Sequence, residues 1–207
     1  MRAGTTVAEP GRGSRADETS HRGMDIMTVM AERRATRSYT GEGVDRGTIE
    51  RLLDAAVQAP SAMDLEPWAF VVFEGRERLR RFSEEAKREL LRDGGESLPL
   101  KARTMLADPS FDIFYGAPVL VVICATSVGS QAAEDCCLAA QNFMLAAHAA
   151  GLATCPIGFA RRWLNAPDTK RRIGIPEDLV PVFPVILGYP AQHPVSPGRR
   201  APVVFWR

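Results

Sequence analysis

The sequence predicts a single domain that mixes helices with buried strands. Two observations point to it. Three short continuous apolar runs, Trp68–Phe73, Pro118–Cys124 and Val182–Leu187, have strand length, and the segments between them carry apolar residues at helical spacing. The length, 207 residues, suits one domain with a sizeable core, and the hydrophobic fraction of 45% is ordinary for a globular chain. The net charge of +1 gives no field that would steer the molecule to nucleic acid or an anionic membrane. The most apolar helical stretch, residues 132–150, is interrupted by Glu134, Asp135, Gln141, Asn142 and His148, which excludes it as a membrane span.

Residues 1–23 are rich in Gly, Arg, Ser and Thr and nearly lack large apolar side chains. Such a segment cannot bury enough surface to offset its ordering entropy, so a disordered N-terminal extension is expected before one domain over residues 24–207. It lacks the apolar stretch of a secretion signal. Met24–Arg34 reads as a first helix with Ile26, Met27 and Met30 on one face. A second helix carries Ile49, Leu52, Leu53, Ala56 and Val57, with Asp45 as its N-cap and Pro60 as its stop. After the Trp68–Phe73 strand comes a charged helix, Arg76–Arg92, with Leu79, Phe82, Ala86 and Leu90 as its buried stripe; Asp93, Gly94 and Gly95 end it.

Residues 96–116 suit a short helix and a mobile loop over a site. Pro118–Cys124 is the second strand. Gln131–Ala150 is apolar almost all round, which predicts a central buried helix closed by Gly151. Thr154–Phe159 reads as extended, Pro167–Ile173 as a short helix with proline in its first turn, and Val182–Leu187 as the last core strand. The tail from Pro190 is too rich in proline to fold on itself, yet ends in Val203, Val204, Phe205 and Trp206. Such an end suits packing on a partner subunit.

Cys124, Cys136, Cys137 and Cys155 sit among apolar neighbours with no C-x-x-C, and read as buried reduced thiols in a cytoplasmic protein. His21, His148 and His193 are scattered without metal-ligand spacing, so no metal site is expected.

Candidate site chemistry concentrates between Arg33 and Phe73. Arg33, Arg34 and Arg37 precede an aromatic residue, and a turn-rich loop from Pro60 to Pro67 runs into the first strand. Basic cluster, helix, loop and strand in this order could hold an anionic, planar cofactor. The structural alternative is solvated surface charge. Five blocks in register decide between the two. They are R-R-A-T-R-S-Y at Arg33, A-P-S-A-M-D-L-E-P-W at Ala59, F-Y-G-A-P-V-L-V-V-I at Phe114, the helix from Asp135 running into C-P-I-G at Cys155, and V-I-L-G-Y-P at Val185 followed by Arg199 and Arg200. With these the chain resembles the nitroreductase family of FMN-dependent oxidoreductases over about residues 25–207.

The resemblance implies an α+β fold: an α-β-α sandwich around a mainly antiparallel sheet, in an intertwined homodimer with FMN in clefts between the subunits and the C-terminal arm of each chain crossing the other. By resemblance, Arg33 and Arg34, with Arg199 or Arg200, would grip the FMN phosphate through guanidinium forks. Arg37 would face the pyrimidine edge, where a cation favours the reduced ring. Pro60 and Ser61 match the segment that reaches the ring from the partner subunit. Pro156, Ile157 and Gly158 match the backbone that runs along it, with Gly158 permitting close approach. Three positions depart from the family pattern. Ala35 replaces a common serine, and Asp64 and Glu66 stand where relatives carry amides; a carboxylate only accepts hydrogen bonds, whereas an amide also donates. These acids would either disfavour the reduced ring or pair with Arg33 or Arg37. Trp68 is expected in the core, Asn142 bonded to backbone, and His148 in a structural role.

The function implied is an NADH- or NADPH-oxidising reductase of nitroaromatics, quinones or other electron-poor small molecules, working by a ping-pong route. FMN would carry the chemistry at its N5 and no side chain would act as nucleophile. Two other readings keep the fold: a flavoenzyme with another reaction (dehalogenation, azoline oxidation or flavin fragmentation), or a flavin-sequestering protein with little turnover. Neither nucleic acid nor membrane is an expected partner.

Overall fold

The computed structural model describes residues 24–94, 98–192, 194, 195 and 198–207. The expected N-terminal extension, residues 1–23, lies outside the described residues. Four strands form one antiparallel sheet in the order β1-β2-β4-β3: β1 (Trp68–Glu74), β2 (Val119–Ala125), β3 (Ala153–Pro156) and β4 (Val180–Gly188). The three apolar runs of the sequence become β1, β2 and β4. The last extends further than expected because it accommodates Pro181 and Pro184; the register against β2 shifts between Ile123 and Cys124, opposite Pro181 and Phe183.

Every residue of β2 is buried. Its side chains alternate between two cores: Val119, Val121 and Ile123 join one apolar cluster, Leu120, Val122 and Cys124 the other. Helices α2 (Arg46–Ala56) and α5 (Ser130–Ala149) cover the first face. Helices α3 (Arg76–Gly94) and α6 (Arg161–Asn165) cover the second, so the α+β sandwich stands. Each fully buried Val, Leu or Ile contributes about 1.5–3 kcal/mol relative to exposure, which makes this two-sided strand the main anchor of the fold.

The remaining helices are α1 (Ile26–Glu32), α4 (Leu100–Ala107) and α7 (Pro167–Ile173). Local signals hold where the chemistry is local. The Asp45 carboxylate accepts from Thr48 N at 2.9 Å and caps α2. Gly151 follows α5 at φ 75°, and Pro167 opens α7. Trp68 is core, and Asn142 Nδ2 donates to Ala55 O at 3.4 Å, tying α5 to α2.

On α1, Val29 is the buried residue, and Ile26, Met27 and Met30 are half or more exposed. Three expectations need correction. One face of α5 is open, with Glu134, Cys137, Leu138 and Gln141 exposed, so Cys137 is not a buried thiol. Periodicity says which side chains share a face; it does not say which element covers them. Burial does push the Cys124 and Cys136 thiols up to about 12, as befits inert core cysteines. The extended reading of 154–159 fails after Pro156, where a 3-10 turn (Gly158–Ala160) leads into α6, too short to show periodicity. The segment expected as a mobile loop after α4 is anchored instead. Lys87 Nζ, on α3, donates to Asp108 O at 2.7 Å and Phe111 O at 2.6 Å, and Ile113 N donates to Ser83 Oγ at 3.0 Å.

Gly188 positions the site. A Cβ there would lie 2.7 Å from Pro118 Cδ and 2.9 Å from Tyr39 Cδ1. Without it, residues 33–40 lie flat on the sheet end: Thr36 N donates to Thr154 O at 3.0 Å, Thr40 N to Tyr189 O at 2.9 Å, and Ala191 N to Ser38 O at 3.0 Å. Gly188→Ala is therefore expected to cost about 2 kcal/mol through overpacking, read by urea unfolding. A loss below about 0.5 kcal/mol would show that Tyr39 moves aside freely.

Candidate active site

The Arg33–Tyr39 segment is extended, with Ala35 in a parallel bridge to Thr154 of β3. Extended backbone sends Arg33, Ala35 and Arg37 to one side. The Arg33 guanidinium is held below its usual pKa, first by burial and then by the like charges of Arg199 and Arg34. Arg34 Nη1 donates to the carbonyl of Arg33 at 2.8 Å. The charges of Arg34 and of Arg199 thus both act on Arg33. Arg33 and Arg34 line a cavity of about 240 Å³ together with Thr36, His148 and Thr154. The Thr154 hydroxyl is buried there with no hydrogen-bond partner among the described residues.

Successive residues of β3 face opposite ways, and Cys155 opens on a second cleft of about 280 Å³. Arg37, Tyr115, Pro156, Ile157, Gly158 and Phe159 share its walls. The Cys155 thiol is raised by burial, against the pull of Arg37 and Arg33. A Cβ added to Gly158 would meet nothing within 4 Å, which leaves the main chain there open to a flat ligand.

Tyr115 forms the aromatic wall. Arg37 Cζ lies 5.8 Å from its ring centroid, and Phe111 packs edge-on at 5.6 Å. The Tyr115 phenol is raised by burial, with the positive charge of Arg37 opposing. Its backbone is left-handed, φ 53°, which is strained for an aromatic residue. The Asp112 carboxylate holds that conformation, accepting from Phe114 N at 2.9 Å and Gly116 N at 2.8 Å.

The loop before β1 is the third part. Ser61 Oγ accepts from Glu66 N at 3.0 Å, and Asp135 Oδ2 of α5 accepts from Ala62 N at 3.2 Å. Met63, Asp64 and Glu66 have φ of 53°, 53° and 46°. Non-glycine residues in this region cost energy, so the loop is held in a specific shape. It presents Met63, 89% exposed, and Leu65 to solvent.

One chain thus brings together Arg33, Arg34, Arg37, Arg199, Pro156, Ile157 and Gly158. Pro60, Ser61, Asp64 and Glu66 do not line the Arg37 cleft. Among the described residues neither acid pairs with Arg33 or Arg37. Arg200 is exposed and lines neither cavity. Ala35 is half-buried against the apolar cluster beneath the sheet, where its methyl offers no polar contact. Sequence reasoning missed Tyr115 and Cys155. Both sat inside quoted blocks, F-Y-G-A-P and C-P-I-G, but nothing local marks a strained φ or a shared cleft.

The chain is similar to known proteins over most of its length. Residues 30–189 match the profile of the nitroreductase family. A putative NADH dehydrogenase/NAD(P)H nitroreductase of Methanothermobacter thermautotrophicus is 30% identical over 83% of this chain and 80% of its own. A 4-nitrobenzoate reductase of a Nocardioides species is 29% identical over 81% of this chain and 82% of its own. The crystal structure of a nitroreductase with bound FMN from Bacteroides fragilis superposes with a TM-score of 0.76 at 23% identity, covering 88% of this chain and 99% of that one.

Proposed function

The chain belongs to the nitroreductase family, and from that premise we propose that it binds FMN and oxidises NADH or NADPH to reduce nitroaromatics, quinones or related electron-poor small molecules. The observation that carries this reading is that Arg33 and Arg34 line one cavity, with the charge of Arg199 acting on Arg33, while Arg37 lines the cleft reached from the next residue of β3. Like-charged guanidinium groups gathered at a half-buried point lower one another's stability unless an anion joins them. A phosphate ester meets that need, and the open main chain at Gly158 suits a flat ring.

Arg33, Arg34 and Arg199 would hold the phosphate. Arg37 would set a positive charge at the ring edge, and Pro156–Gly158 would line the ring with backbone. Bound FMN would supply two-electron hydride chemistry. The protein's own share is orientation, electrostatics and exclusion of water by Tyr115, Ile157 and Phe159. Nicotinamide and acceptor would use the cleft in turn, a ping-pong scheme with no side-chain nucleophile.

We further assign Pro60, Ser61, Asp64 and Glu66 to the cofactor of a second copy. The support is their shaped, exposed loop and its absence from the chain's own cleft. Exposed Met27, Met30, Leu138, Phe205 and Trp206 are apolar surface that a homodimer with a crossing C-terminal arm would cover. The four free thiols support a cytoplasmic site.

The direct test is anaerobic mixing of the FMN-loaded protein with NADH and with NADPH, followed by an acceptor screen. A flavin spectrum that neither nicotinamide bleaches would sink the reading. The acids give a second readout. Asp64→Asn or Glu66→Gln is expected to raise the flavin midpoint potential by roughly 30 mV, equivalent to about 1.4 kcal/mol for a two-electron couple. An unchanged potential in both variants removes them from the ring's surroundings.

A further inference from the structure

Arg37 projects from an extended segment with an exposed side chain, and a flexible exposed arginine makes a poor fixed charge. What restrains it is Tyr115, whose ring lies 5.8 Å from the guanidinium carbon. The strain at Tyr115 is what places the ring there. With φ 53° its side chain leaves the loop on the cleft side, whereas an ordinary backbone would direct it elsewhere. Four contacts sustain the strained turn. Asp112 accepts from the amides on both sides of Tyr115, Tyr115 N donates to Asp112 O at 3.0 Å, and Phe111 packs edge-on against the ring. Gly116 completes the turn at φ 68°. Deeper still, buried Lys87 and Ser83 tie the loop to α3. A turn so heavily held, for a residue only half-buried at the edge of the core, is the pattern expected where strain serves a site.

We propose that Tyr115 is a positioning residue that holds the Arg37 guanidinium in the Pro156–Gly158 cleft and so fixes the cation offered to the bound ring. This rests on the FMN reading given above. The half-buried phenol ring attracts the guanidinium across its face. Tyr115 need not touch the cofactor; it acts through Arg37.

The experiment has two arms. In the FMN-loaded protein, the midpoint potential is measured for wild type, Tyr115→Leu, Tyr115→Phe, Arg37→Met and the Tyr115→Leu/Arg37→Met double variant. Tyr115→Leu is expected to lower the potential and to weaken FMN by roughly two- to thirtyfold, the range of a cation–aromatic contact. The double variant should match Arg37→Met alone, and Tyr115→Phe, which keeps the ring, should fall between wild type and Tyr115→Leu. A Tyr115→Leu potential equal to wild type, or equal drops with and without Arg37, overturns the proposal. In the FMN-free protein, the same double-mutant cycle is read by urea unfolding, where a non-zero coupling between the two residues is expected and strict additivity overturns it. This arm needs no cofactor, so a wild-type protein that fails to bind FMN sinks the cofactor reading while the Arg37–Tyr115 contact is still judged by its own result.

Discussion

Replacing Arg33 by methionine is expected to weaken FMN binding by about 100-fold while leaving the FMN-free protein as stable as before or slightly more so. The two effects have one cause. Arg33 is half-buried and shares its position with Arg34 and Arg199, so without an anion it suffers desolvation and like-charge repulsion together. Methionine keeps the stem's packing and removes both penalties. With a phosphate present the balance reverses. Two charge-assisted hydrogen bonds at roughly 1.5 kcal/mol each amount to about 3 kcal/mol, the stated hundredfold. Titration by flavin fluorescence reads the first effect and urea unfolding of the FMN-free protein the second. Unfolding that becomes easier by more than about 1 kcal/mol would mean that Arg33 supports the fold and is not held in reserve for an anion.

Lys87→Met is expected to destabilise the protein by about 3 kcal/mol, because it orphans two carbonyls in a buried place at about 1–3 kcal/mol each, partly offset by the ammonium's own desolvation. Lys87 is only 7% exposed, and its Nζ satisfies Asp108 O and Phe111 O while lying 5.9 Å from the Phe111 ring. The same two carbonyls belong to the loop that carries Tyr115. Loss of stability should therefore be accompanied by weaker FMN binding, the site loosening from below. The midpoint of urea unfolding should fall with its slope unchanged. A loss under about 1 kcal/mol would show that water replaces the ammonium at both carbonyls.

What reading the residues could reach follows the range of the forces involved. Asp45 capping α2, Pro167 opening α7 and Gly151 closing α5 are contacts within one turn, and each stood in the sequence as it stands in the fold. The two-faced burial of β2 was legible as an unbroken apolar run. Failure came where a partner element decides burial. Spacing placed Ile26, Met27 and Met30 on one face without saying what covers it, and the described chain leaves them exposed. Glu134, Cys137, Leu138 and Gln141 likewise mark an uncovered side of a helix that composition alone would bury.

By itself, then, the sequence determined β1, β2 and β4, the caps, the order of five family blocks and the arginines offered to an anion, because these depend on neighbours in the chain. Only the tertiary structure decided that the charge of Arg199 acts on Arg33 while Arg200 lines neither cavity, that Arg37 is backed by a strained Tyr115, and that Asp64 and Glu66 stay out of their own chain's cleft. Those outcomes depend on packing between distant segments, set by the Gly188 approach and the Lys87 anchor, and no local pattern encodes them.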